Sequence, residues 1–209
     1  MQTAKRFFCL EGIDGSGKTT QIDMLIAALE GEGYSVVKLR EPGGAKISER
    51  VREILLDSSF KGIMGDKTEL MLYNAARAQV IHEIIQPALD AGKVVIADRF
   101  AWSTFAYQGY ARGLGADMVQ RLTELTCGSC FPELTVVLDL TVERSRARTA
   151  KRGEAPDRLE QEKADFFERV RQGYLAAARE YPDCVAAIDA DRAPDEVFAD
   201  LYRLVKARL

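Results

Sequence analysis

Histidine is almost absent from this chain: His82 stands alone among 209 residues. There is no basic excess either, since 29 Lys and Arg face 32 Asp and Glu for a formal net charge of -3. That balance argues against the broad electrostatic footprint of a nucleic-acid or membrane-surface binder. No apolar run approaches the ~20 residues that a membrane span requires, and no charged-then-apolar leader is seen. The expected setting is therefore the cytoplasm, with free thiols. Cysteine occurs only at 9, 127, 130 and 184. Cys127 and Cys130 form a C-x-x-C, but no second Cys or His pair accompanies them at zinc spacing. His82 lies among apolar residues at helical spacing, which suits packing or a surface position. Repeats, low-complexity tracts and dividing linkers are also missing, so residues 1–209 are expected to form one domain.

What is present is an alternation of short apolar strands and amphipathic helices. Strands are predicted at Phe7 to Leu10, Ser35 to Leu39, Val94 to Ala97, Leu134 to Leu140 and Val185 to Ile188. Ile22, Leu25, Ile26 and Leu29 make one helical stripe, and Ile47, Val51, Ile54 and Leu55 mark a shorter helix. A longer helical pattern runs from about Lys67 to Ala91, interrupted or ended near Pro87. Another runs from about Arg158 to Glu180, and a last begins at Pro194 with Val197, Leu201, Leu204 and Val205 on one side. Parallel strands need crossover connections, so this order implies an α/β fold: a five-stranded parallel sheet with helices on both faces.

Between the first strand and first helix lies Gly12-Ile13-Asp14-Gly15-Ser16-Gly17-Lys18-Thr19, a match to G-x-x-x-x-G-K-[ST] in the context that motif requires. Such a loop wraps backbone N–H groups round phosphate oxygens at a helix N-terminus, whose dipole favours negative charge. Gly12 to Thr19, with Thr20, are the candidate ATP-binding residues. Lys18 is placed at the terminal phosphates, and the Thr19 hydroxyl at a magnesium ion. The fold is thus a three-layer P-loop NTPase fold. A GTP-hydrolysing switch would show N-K-x-D after a later strand, and none occurs here. The other class sharing this loop passes the phosphoryl group to a small acceptor, whose site belongs at the carboxyl ends of neighbouring strands.

Val94 to Ala97 ends in Asp98-Arg99 at such an edge. The run Asp98-Arg99-Phe100-Ala101-Trp102-Ser103-Thr104-Phe105-Ala106-Tyr107-Gln108-Gly109 resembles the D-R-x-x-x-S-x-x-A-Y-Q-G signature of bacterial thymidylate kinases. Arg40-Glu41-Pro42-Gly43-Gly44, Ala76-Arg77-Ala78-Gln79 and Asp157-Arg158-Leu159-Glu160 agree with the same family in order and spacing, and the resemblance spans essentially the whole chain. It implies ATP-dependent phosphorylation of dTMP to dTDP, on the route to dTTP for DNA synthesis, with Mg2+ and a homodimeric assembly. A kinase for dUMP, dCMP or a deoxynucleoside would share the fold and differ at the base edge.

The same resemblance assigns roles. Arg99 and Arg52 approach the acceptor monophosphate, while Arg77, Thr104 and Gln108 sit near the thymine edge. Tyr107 packs beneath the sugar, and Tyr73 stands where the family usually has a stacking Phe. Arg40, Glu41 and Ser103 complete the expected dTMP site, and Asp14 lies near its sugar and phosphate. Asp98 is expected to orient an arginine and magnesium-bound water. Residues 148–158 resemble the family's lid, with Arg148, Arg152 and Arg158 as candidate bridging cations. Arginine is missing from Ile13 to Ser16, which shifts the expected bridging onto that lid. The expected catalytic set is Lys18, Asp14, Arg99, Asp98, Arg152 and Arg158, with Arg148 assigned to ATP.

Overall fold

The computed structural model of the chain describes residues 3–150 and 157–209. Alternation along its first strand, β1 (Thr3–Glu11), shows why the sheet is covered on both sides. Phe8 and Leu10 enter one apolar cluster, while Phe7 and Cys9 enter another. Successive side chains of a strand point to opposite faces, so the unbroken apolar run Phe7 to Leu10 needs two helical layers. The remaining strands are β2 (Val36–Arg40), β3 (Val94–Asp98), β4 (Phe131–Asp139) and β5 (Val185–Asp189). All pair in parallel in the order β2-β3-β1-β4-β5. All five expected strands are there, most of them reaching a residue or more beyond the apolar run that predicts them.

One layer contains α1 (Lys18–Gly31), which buries Ile22, Leu25 and Leu29, together with the last helix, which buries Val197, Leu201 and Val205. The opposite layer is built from α2 (Lys46–Leu56), α3 (Asp66–Val80) and the short α4 (Gln86–Asp90). It also holds α5 (Ala101–Thr104), α6 (Ala116–Cys127), α7 (Val142–Thr149) and α8 (Ala164–Glu180). The last helix is α9 (Pro194–Lys206). The pattern over 67–91 forms one continuous run rather than stopping at Pro87. A π-helical turn, Ile81–Ile85, joins α3 to α4 just before Pro87, a local change of hydrogen-bond pitch that lets the helix continue past a residue without an N–H. A second π-helical stretch, Phe105–Ala111, continues α5. Gly173 in α8 lets this stretch approach: a Cβ there would lie 2.9 Å from the Ala106 Cα.

The helix expected from about Arg158 begins instead at Ala164. The Asp157 carboxylate accepts the N–H groups of Leu159 and Glu160, both at 2.8 Å, and Glu160 accepts the Asp157 N–H at 3.0 Å, a reciprocal cap on a single turn that is not continued into α8. The α2 stripe is only partly buried: Leu55 is covered, whereas Ile47 and Ile54 are exposed.

The topology decides what meets at the carboxyl edge of the sheet. Leu10 and Arg40 both stand in register with Asp98, from strands on either side of it. The loop after Glu11, the turn after Arg40 and the Asp98-Arg99 pair therefore share one edge, beside the central strand where the strand order reverses.

Candidate active site

Gly12 leaves β1 with φ +137°, and a Cβ there would lie 2.6 Å from the Leu138 carbonyl oxygen, so only glycine fits. The loop ends at Gly17, left-handed at the cap of α1. Lys18 then folds back, donating to the carbonyls of Gly12 at 3.0 Å and Ile13 at 3.3 Å. Burial first, then the neighbouring Arg99 charge, lowers its ammonium to about 8. From outside the loop, Ser145 of α7 donates to the Asp14 carbonyl at 2.6 Å and Arg148 to that of Gly15 at 3.2 Å. Arg148 also reaches the Ala190 carbonyl and Asp191, which ties it to the turn after β5. A cavity of about 360 Å³ opens over this loop, lined by Gly15, Lys18, Thr19, Thr20, Arg40 and Asp98 among others.

A second cavity, of about 440 Å³, adjoins the first. Tyr73, Phe100, Ser103, Thr104, Tyr107 and Gln108 line it, with Asp157, Leu159 and Glu160. Asp14, Glu41, Arg52 and Arg99 line both cavities and so form their shared wall. Arg99 sits at φ +68°, a left-handed backbone that costs a bulky residue on the order of 1 kcal/mol. Its guanidinium donates to Asp14 at 2.7 Å and to the Tyr174 hydroxyl at 3.1 Å, and lies 5.5 Å from the centre of the Tyr107 ring. Arg52 donates to the Pro42 carbonyl at 2.9 Å. Arg40 reaches the same carbonyl and Glu49.

Beneath the second cavity is a layer of buried ions. Arg77 is 2% exposed. It donates to Glu41 at 2.9 Å, to the Phe100 carbonyl at 3.0 Å and to the Thr104 hydroxyl at 2.9 Å. One Arg77 terminal nitrogen and one Glu41 oxygen have no partner. Burial lifts the Glu41 carboxyl to about 7 against the opposing pull of Arg77. Glu69, also buried, accepts from Gln108 at 2.7 Å and pairs with Arg112 at 3.2 Å and Arg158 at 2.6 Å. The Gln108 amide is thereby oriented from behind. An acceptor-only carboxylate requires its nitrogen on the Glu69 side.

The expected donor residues fall in or beside the first cavity. Of the expected acceptor residues, Asp14, Glu41, Arg52, Tyr73, Arg99, Ser103, Thr104, Tyr107 and Gln108 line the second cavity, whereas Arg40 lines only the first and Arg77 lies buried beneath the second, lining neither. Arg158 is the correction. It is 4% exposed, gives its guanidinium to the Leu55 carbonyl at 2.7 Å and to Glu69, and lines neither cavity. The Asp157 turn directs it down between α2 and α3, so it anchors the chain after the lid segment instead of facing the donor loop. Arg152 lies outside the described residues, as do residues 151–156 of the expected lid. Sequence reasoning missed Glu11, Glu69, Arg112 and Tyr174. Glu11 offered one signal, a carboxylate closing an apolar strand directly before the loop; the others offered none.

Among the described residues no group of three or more His, Cys, Asp or Glu could hold a metal. Thr19 and Asp98 nevertheless line one cavity with Lys18. Such a sparse oxygen set suits Mg2+, which keeps several waters and takes phosphate oxygens for the rest. Burial pushes the thiols of Cys127 and Cys130 up to about 12 and about 11, opposite to the shift of a reactive cysteine.

A family model described as thymidylate kinase matches residues 10–201. The chain is 49% identical to the thymidylate kinase of Syntrophotalea carbinolica over 196 residues, covering 91% of this chain and 90% of that protein. It is 48% identical to that of Halothermothrix orenii over 209 residues, covering 97% of each. A crystal structure of thymidylate kinase from Ehrlichia chaffeensis superposes with a TM-score of 0.76 at 30% identity, covering 98% of this chain and 100% of that one.

Proposed function

Because the chain belongs to the thymidylate kinase family, we propose that it transfers the γ-phosphoryl group of ATP to dTMP, giving ADP and dTDP. The observation that carries this reading is the shared wall: Asp14, Glu41, Arg52 and Arg99 border both the loop cavity and the cavity edged by Tyr73, Tyr107 and Gln108. Two anions meet across that wall, and positioning plus charge stabilisation supply most of the rate of phosphoryl transfer. Lys18 and the loop amides hold the ATP phosphates. Arg99 and Arg52 hold the acceptor phosphate, which needs no strong base because its attacking oxygen is already anionic.

Tyr73 stacks on the thymine, Arg77, Thr104 and Gln108 address its edge, and Tyr107 lies under the sugar, disfavouring a 2'-hydroxyl. Thr19, and Asp98 through water, would hold Mg2+, which offsets charge on the triphosphate when bound. Arg148 serves the ATP side, and Arg152 is the remaining candidate for the lid cation. The chain works as one kinase domain in the cytoplasm, a reading supported by four free cysteines. It works as a homodimer, supported by exposed Ile47, Ile54, Met71, Met118 and Leu125 on α2, α3 and α6, which pack side by side. Light scattering on the purified protein checks the dimer. An ADP-release assay with ATP and a panel of nucleoside monophosphates checks the reaction. Stimulation by dTMP well above dUMP and dCMP is expected, and equal stimulation by all three would remove the thymidylate assignment.

A further inference from the structure

Glu11 is the last residue of β1 and has no solvent exposure. A buried carboxylate requires compensation, yet no cation lies within ion-pair distance of it among the described residues. Its partners are neutral. One oxygen accepts the backbone N–H groups of Phe100 at 2.8 Å and Ser103 at 2.9 Å. The other accepts the hydroxyls of Ser103 at 2.6 Å and Tyr174 at 2.8 Å.

The first pair of bonds is an N-cap supplied from another strand. Phe100 occupies the cap position of α5 and has no side-chain acceptor; its N–H goes to Glu11, and the Ser103 N–H is shared between Glu11 and the Phe100 carbonyl at 3.1 Å. The residue immediately before the cap is Arg99, in its left-handed conformation. The second pair acts on the Arg99 side chain. Both hydroxyls that touch its guanidinium, Tyr174 at 3.1 Å and Ser103 at 3.4 Å, also contact Glu11 and lie 2.9 Å from each other; at least one gives its hydrogen to Glu11, and both present lone pairs to the arginine. One carboxylate therefore fixes the backbone beside Arg99 and the polarity of two of its side-chain contacts, from the position directly before Gly12.

We propose that Glu11 is a positioning residue that indexes Arg99 to the donor loop, setting the separation of the two phosphate cradles through the Ser103 and Tyr174 hydroxyls. This rests on Arg99 being the cation at the acceptor phosphate. Glu11→Gln replaces one accepting oxygen with an amide nitrogen, so either the backbone pair or the hydroxyl pair loses its acceptor. We expect kcat to fall roughly 10- to 100-fold, the scale of a misplaced catalytic group, with the KM for ATP little changed. In an Arg99→Ala background the same substitution should change kcat by less than about two-fold, because the two act as a unit. Full multiplication of the two effects, or a Glu11→Gln kcat equal to that of the unmodified enzyme, would overturn the proposal.

Tyr174→Phe preserves the buried ring and removes one relay hydroxyl, which keeps the test available should Glu11→Gln not fold. The expected kcat loss is several-fold, again absent in the Arg99→Ala background; an unaltered kcat in Tyr174→Phe counts against the relay. NMR of the Arg99 Nε–Hε group reads the positioning without any acceptor. The signal should be ordered in the parent and averaged in both variants, and equal order in all three overturns the proposal. Loss of dTMP-stimulated ADP release in the parent protein would instead remove the functional reading and leave that NMR result standing.

Discussion

The two ends of the site are built on different principles. The proposed donor end is a run of eight consecutive residues, Gly12 to Thr19, which offers mainly backbone amides at the start of α1. The acceptor end is assembled from side chains of α2, α3, the turn after β2, the α5 and π-helical segment and the turn at Asp157. Its floor is a set of buried charges, Arg77 with Glu41 and Glu69 with Arg112 and Arg158. A backbone cradle commits few charges to burial. A side-chain cradle must desolvate its charges in advance, and removing one member strands the other. The donor end should therefore lose chemistry before it loses stability, and the acceptor end should lose both together.

The largest expected effect tests the donor half of that contrast. Lys18→Ala should lower kcat on the order of 10³-fold, as for other groups that stabilise transition-state charge, while the melting temperature stays close to that of the parent. Single-turnover ADP formation beside a thermal melt reads both, and a large fall in melting temperature would break the comparison. At the acceptor end, Arg77→Ala should raise the KM for dTMP roughly 100-fold, the loss of charge-assisted bonds. It should also destabilise the fold by about 1–3 kcal/mol, since Glu41 is left as a buried acid without its hydrogen-bond partner. Steady-state kinetics and a urea melt check the two effects; an equal loss of ATP affinity would refute this placement of Arg77.

A smaller effect sharpens the same pair. The folded Glu41 carboxyl holds its proton up to about 7 rather than 4.5, so the native state binds more protons than the unfolded state between those values. The stability it confers is then fully present in acid and lost as pH rises through about 7. Between about pH 5.5 and about pH 8 the parent should lose more stability than Glu41→Gln. Parallel melting curves for the two proteins would show that burial does not govern this group. The smallest effect returns to the donor loop. With Lys18 lowered to about 8, ATP binding at that pH should take up about half a proton as the triphosphate restores the charge. Calorimetry in buffers of different ionisation enthalpy measures it, and the uptake should vanish in Lys18→Ala.

Legibility in the sequence follows the same division. The five strands were readable because each is a short apolar run, and the donor loop because glycines at fixed spacing impose its backbone. The proposed roles of Arg77, Tyr107 and Gln108 come only through resemblance to a family, since no local pattern distinguishes them from helix-surface residues. Arg158 was misread for a physical reason. Its neighbours are charged, as in a solvated loop, yet the Asp157 turn aims it into the α2 and α3 interface, where Glu69 is 89 positions earlier in the chain. The helix start six residues too early has a related origin: Asp157 and Glu160 cap a single turn there, and the regular helix begins only at Ala164.

By itself the sequence determined the parallel sheet, the glycine loop after the first strand and the sheet edge on which both cavities open, because those depend on periodicity, glycine geometry and connection length. The tertiary structure decided which of the 19 arginines are buried and with which acids, and that Glu11 caps a helix 89 residues away from its own strand. Charge pairing is long-range in sequence and short-range in space, so only the folded chain selects the partners.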